Sequence, residues 1–146
     1  MEKNIIEKNR FALTVIKIIK ENIEKHQNPI DNPVSISGLN KRERFKIFSI
    51  FFNKEFNNLY KGKYKYISCE KIQIDEEIDI NKDLIIIEDI DYLVNNDMLQ
   101  EKLKDIINRC IENNVQLVLC SNNDTNDLIL NEALKSRTKW GISLYL

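Results

Sequence analysis

Between Asp83 and Glu88 the chain sets four large aliphatic residues in a row, Leu84-Ile85-Ile86-Ile87. Successive side chains of a strand point to opposite faces, so an unbroken run of this kind needs apolar cover on both sides. Such a strand belongs inside a parallel sheet with helices against each face. We therefore expect this segment to form the sheet centre, and the rest of the chain to supply its neighbours and its cover.

The flanking segments carry the matching periods. From Ile5 to Lys25, Phe11, Leu13, Ile16, Ile19 and Ile23 recur at helical spacings with Lys and Glu opposite them, which predicts an amphipathic helix. Asn28, Pro29, Asp31, Asn32 and Pro33 interrupt it, and Val34 to Ile36 reads as a buried strand ended by Ser37-Gly38. A helix is predicted from Lys41 to Leu59 and a strand from Tyr64 to Cys69. Asp97, with Gln100 three residues on, predicts the cap of a helix over Met98 to Ile111, stopped by Asn113-Asn114. Val115 to Cys120 is read as a strand, Asp127 to Leu134 as a short helix after a polar turn, and Gly141 to Leu146 as a final strand. Strands alternating with helices predict right-handed crossovers and a ligand site at the carboxyl ends of the strands.

With 146 residues the chain has enough material for one core and too little for two, so residues 1–146 are expected to form a single domain. No stretch approaches the roughly 18 to 20 uncharged apolar residues of a membrane span. The start, with Glu2, Lys3 and Asn4, lacks a signal-peptide pattern, and a cytoplasmic location is expected. A net charge of −1 gives no broad footprint for nucleic acid, and the local cluster Lys41, Arg42, Arg44 and Lys46 predicts at most weak direct DNA binding. Cys69, Cys110 and Cys120 are odd in number and form no C-x-x-C pair, which reads as buried structural thiols with no disulfide and no metal site. His26 is the single histidine, so a Ser/His or Cys/His catalytic arrangement would have to use a residue at the end of a polar helix, and no catalytic role is expected for it.

The aliphatic strand ends in Glu88-Asp89, followed by Ile90-Asp91-Tyr92-Leu93. Two carboxylates at a strand end can hold Mg²⁺ through its water shell and orient an attacking water, although plain strand exits also look like this. Glu7 to Ala12, Asn32 to Gly38, Tyr64 to Ile72, Val115 to Asn122 and Leu134 to Gly141 fall around it in fixed order. Together these segments resemble the AAA+ base domain of DnaA-type replication initiators, a resemblance that covers nearly the whole chain. It implies an α/β, P-loop NTPase-like three-layer αβα sandwich with a five-stranded parallel sheet. It further implies that Glu88 and Asp89 stand in the Walker B region, that Ser121 or Asn122 takes the sensor 1 position, and that Arg137 matches the family's arginine finger.

The phosphate loop departs from the family pattern. Where G-x-x-x-x-G-K-[ST] is needed, the chain reads Gly38-Leu39-Asn40-Lys41-Arg42-Glu43-Arg44-Phe45. Glu43 in place of glycine brings a Cβ and a negative charge towards the cradle, Arg44 keeps only the charge of the lysine, and Phe45 removes the hydroxyl. Lys41 could serve as the lysine only if the helix were shifted. Gly38, Arg44, Glu88, Asp89 and Asn122 are thus expected to line a vestigial nucleotide site in a pseudo-ATPase with no catalytic residues and no cofactor. ATP or ADP with magnesium is the alternative. The sequence ends at Leu146, just past the final strand, so neither the family's helical lid nor its DNA-binding domain is expected.

Protein contacts are expected around Lys135, Arg137 and Trp140. Arg137 reads either as a finger acting on a neighbour's nucleotide or, with Lys135 and Lys139, as a solvated helix end. Trp140 is either an interface anchor or buried beneath the final strand. Phe45, Phe48, Phe51, Phe52 and Phe56 form core or a partner surface. The functional expectation is a non-hydrolysing regulator or adaptor in replication initiation whose partner is an initiator, a replicative helicase or a second copy. The alternatives are a residual nucleotide binder of the helicase-loader type and a module that binds single-stranded DNA or a helicase through Lys41 to Lys46.

Overall fold

The computed structural model describes residues 9–57 and 63–146, with side chains through residue 52 in the first segment. The expectations for Ile5 to Lys8, for the Phe56 side chain and for Leu59 lie outside the described residues. Strands β1 (Val34–Ser37), β2 (Tyr64–Ser68), β3 (Leu84–Glu88), β4 (Gln116–Ser121) and β5 (Ser143–Tyr145) form one sheet in the order β2-β3-β4-β1-β5. Every pairing is parallel. The sequence places β3 at the centre, whereas the middle strand is β4, because β1 pairs with both β4 and β5 and extends the sheet on that side.

Helices α1 (Arg10–Glu24) and α2 (Lys41–Asn57) cover one face, while α3 (Asp97–Glu112) and α4 (Glu132–Thr138) cover the other. The aliphatic run of β3 divides between the two cores. Leu84 and Ile86 pack with Ala12, Val15, Ile16, Ile19, Ile47, Phe48 and Phe52, while Ile85 and Ile87 pack with Leu103, Ile106, Ile107 and Leu134. The four aliphatic residues of β3 are inaccessible to solvent, a burial that stabilises the fold by about 1.5–3 kcal/mol per side chain. Phe48 and Phe52 are therefore core residues. Phe45 instead lies at the surface with its ring edge-on to Tyr66, and Phe11 sits off the α1 stripe, 70% exposed.

Three local expectations are corrected. The cap of α3 is Asn96, whose Oδ1 accepts from Leu99 N–H at 3.2 Å, since the helix already begins at Asp97. Gln100 is buried and ties two loops together, donating to Leu93 O and accepting from Asn131 N–H. The segment 127–134 is not one helix. Leu128 and Leu130 enter the core while Ile129 is 79% exposed, a period of two that keeps the chain extended until Asn131 caps α4. The three cysteines are free and buried, and burial pushes the Cys69 and Cys110 thiols up to about 12. Among the described residues no helix is long and apolar enough to cross a membrane.

Candidate functional site

At the carboxyl end of β1 the backbone turns through Gly38 (φ 89°) and Leu39 (φ 53°) into the start of α2. A Cβ at position 38 would lie 2.4 Å from Leu146 O, so both the left-handed backbone and the packing require glycine there. The turn aims two carbonyl oxygens, those of Gly38 and Leu39, into the space between the strand ends. Arg44, one turn into α2, reaches back towards the N-terminus of its helix and meets them, its Nη1 donating at 2.9 and 2.8 Å.

The remaining donors of Arg44 are also engaged. Nε and Nη2 form a two-pronged pair with Glu88 at 3.0 and 2.8 Å, and Nη2 also donates to Asn122 Oδ1 at 2.9 Å. All five N–H groups of the guanidinium thus find acceptors. Both Arg44 and Glu88 have no exposed side-chain surface. Burial by itself pulls the Arg44 pKa down, but the hydrogen bonds and charge of Glu88 outweigh it and hold the guanidinium firmly protonated. Glu88 accepts further from the Asp89 N–H at 3.2 Å.

Asp89 stands beside this pair in the left-handed region (φ 63°). Its Oδ2 accepts from Lys41 Nζ at 2.6 Å and from the Ser68 hydroxyl at the end of β2. Desolvation alone raises the Asp89 pKa; the bonds from Lys41 and Ser68 prevail and hold the carboxyl below its ordinary value. Asp91 binds the loop after β4, accepting from the backbone N–H groups of Asn122 and Asn123 at 2.9 and 3.1 Å.

Glu43 does not enter the space between the strand ends. Its carboxylate turns back to the Asn40 N–H at 3.4 Å while Asn40 Oδ1 accepts from the Glu43 N–H at 2.9 Å, a reciprocal capping box at the start of α2. Two N–H groups of the loop are thereby satisfied by side chains. The space between the strand ends is lined by the Gly38 and Leu39 carbonyl oxygens and the Glu88 carboxylate, a set of acceptors suited to a cation.

Of the residues singled out from the sequence, Gly38, Arg44, Glu88 and Asn122 meet directly, and Asp89 adjoins them. Ser121 is buried at the end of β4, outside the contact. The basic cluster is divided: Arg44 points inward and Lys41 is paired with Asp89, leaving Arg42 and Lys46 exposed. Sequence reasoning missed the roles of Ser68 and Asp91. It also missed the capping box, which was readable as Asn-x-x-Glu ahead of the helix.

Lys135, Arg137 and Trp140 form a separate surface at the end of α4. Arg137 donates from Nε to Asn108 Oδ1 at 2.8 Å and from Nη1 to Ala133 O at 3.0 Å, and its guanidinium lies 5.3 Å from the Trp140 ring centre. Trp140 is 53% exposed, so of its two readings burial beneath the last strand is the one that fails. The inward place under that strand belongs to Leu144, and Gly141 abuts the Pro33 backbone with no room for a Cβ. Lys135 lies along α4 and donates to Leu128 O at 3.3 Å.

Residues 3–145 match the sequence profile of the bacterial DnaA ATPase domain. The fold is similar to domain III of the Thermotoga maritima replication initiation protein DnaA, with a TM-score of 0.74 and 20% identity over 94% of this chain and 61% of that one. AMPPCP-bound DnaA from Aquifex aeolicus gives a TM-score of 0.69 and 19% identity, covering 88% of this chain and 44% of that one. A replication initiator DnaA bound to AMPPCP and single-stranded DNA gives 0.63 and 18%, with the same coverages. The chain thus spans about half of the length of these relatives, and the likeness extends to the three-layer arrangement and its parallel sheet.

Proposed function

Because this chain belongs to the bacterial DnaA ATPase domain family, we propose that it is a non-hydrolysing DnaA-like AAA+ module that works by binding protein partners in replication initiation. One observation carries the reading: the buried Arg44 guanidinium occupies the space enclosed by Gly38, Glu88 and Asn122, with every donor engaged. A phosphate held there would need N–H groups, a lysine and a hydroxyl around it. This loop offers carbonyls, an arginine already paired, and a phenylalanine directed at Tyr66. Glu88, one of the two carboxylates that the family resemblance assigns to a magnesium site, is paired with Arg44 instead.

The solved relatives are replication initiators, one of them bound to single-stranded DNA. For this chain the reading makes an initiator of that type, a replicative helicase or a second copy the partner. The surface of Lys135, Arg137 and Trp140 is the docking site, since an exposed tryptophan under an ordered arginine supplies area and charge at little entropic cost. Direct DNA binding is weak on this reading because Lys41 and Arg44 are engaged internally.

The test is thermal melting with and without millimolar ATP or ADP and Mg²⁺. A nucleotide at 100 times its Kd would add about 2.7 kcal/mol, and the expected result is no shift. A rise in Tm of several degrees with either nucleotide would overturn the reading.

A further inference from the structure

We propose that Arg44 acts as a tethered internal ligand that fixes the loops at the carboxyl end of the sheet in one arrangement, so that this face stays ordered with no nucleotide bound. The inference rests on the proposed function and concerns what regulates the same site. The guanidinium joins three strand ends that are far apart in sequence. It bonds the turn after β1 through Gly38 and Leu39, the end of β3 through Glu88, and the loop after β4 through Asn122. A second tie, Lys41 to Asp89 to Ser68, adds the end of β2, and Asp91 holds the backbone of Asn122 and Asn123. Four of the five strand ends are cross-linked in this way by side chains of the protein itself.

In a domain whose strand-end loops close around a ligand, the arrangement follows the occupancy of the site. Here the cation is covalently part of α2, so its effective concentration does not vary and the loops have no second state to select. The chemistry of the position is specific. Lysine preserves the charge but places its donors on a single nitrogen, and it cannot reach Glu88, two carbonyls and Asn122 at once with the geometry of a planar fork.

Hydrogen exchange on the full chain, free of nucleotide, tests this in wild type and in Arg44→Lys. In wild type the amides of Asn40, Glu43, Asn122 and Asn123 are expected to be protected and indifferent to added ATP and Mg²⁺. In Arg44→Lys the Asn122 and Asn123 amides are expected to exchange at least 10-fold faster while the amides of β4 keep their protection. A second arm supplies Arg44→Ala with low-millimolar guanidinium chloride, well below denaturing levels, against equal sodium chloride. Guanidinium is expected to raise the melting temperature of this variant and to leave wild type unchanged. Wild-type exchange rates at all four amides in Arg44→Lys overturn the proposal, as does a folded Arg44→Ala indifferent to guanidinium. Should Arg44→Ala fail to fold, the Arg44→Lys exchange rates decide. A nucleotide-dependent Tm shift of wild type would sink the nucleotide-free reading of the site through a different readout, so the two failures are distinguishable.

Discussion

Replacing Arg44 with methionine fills a similar volume but strands a carboxylate. Glu88, with no exposed surface, would lose its charged partner and keep the Asp89 N–H at 3.2 Å and the Cys120 thiol, and the oxygens of Gly38, Leu39 and Asn122 would lose the donor they share. Removing one partner of a buried ion pair costs about 3–5 kcal/mol. Taking about 2.1 cal/mol/K of unfolding entropy per residue, a chain of 146 residues loses roughly 10–16 °C in Tm. The double variant Arg44→Met/Glu88→Leu removes both charges at once and is expected to recover most of this loss, giving a coupling of about 3 kcal/mol in a double-mutant cycle. Circular dichroism melts of the four proteins at pH 7 measure this. A single variant melting within about 3 °C of wild type would refute the reasoning, as would losses that simply add in the double.

Restoring the family pattern by Glu43→Gly, Arg44→Lys and Phe45→Thr together is expected to bring back a Tm rise with ATP and Mg²⁺; a folded triple variant indifferent to millimolar ATP would show that more than the loop has been altered. Lys41→Met is expected to cost roughly 1 kcal/mol at pH 7, because the pair is partly exposed. Since the folded-state pKa of Asp89 is depressed, that contribution is present above the ordinary aspartate range and vanishes as pH falls below about 4; acid titrations of stability that run parallel for both proteins would contradict it. Trp140→Ala is expected to shift Tm by no more than about 2 °C, because the ring is half exposed, while weakening capture of a protein partner at least tenfold; unchanged capture would remove this surface from the interface.

The architecture was legible because β3 announces burial on both faces and the segments around it alternate in period. What the sequence concealed was direction. Read as a string, Glu43 threatens the phosphate cradle and Arg44 imitates a lysine, whereas in the folded chain the glutamate caps its own helix and the arginine turns inward to Glu88. That difference is set by where α2 begins relative to the sheet, a matter of tertiary geometry. The short extended segment before α4 escaped for a related reason, since Leu128 and Leu130 also suit a helix until packing chooses between the two periods. For Trp140 the sequence left an interface anchor and burial beneath the final strand both open, and the folded chain leaves the ring 53% exposed.

The strand order has a consequence for how this chain comes into being. β1 finds its sheet neighbours in β4 and β5, with Ser35 opposite both Leu119 and Ser143, while β2 pairs with β3 alone. On the ribosome, Val34 and Ile36 therefore wait without a neighbouring strand until the segment 116–121 has emerged, and the edge they present stays open until residues 143–145 follow. Contacts this distant slow folding and prolong the exposure of apolar strands. β1 is thus the strand whose apolar residues stay unpaired longest during synthesis, and a ribosome stalled before β4 holds a nascent chain whose first strand has nothing to pair with.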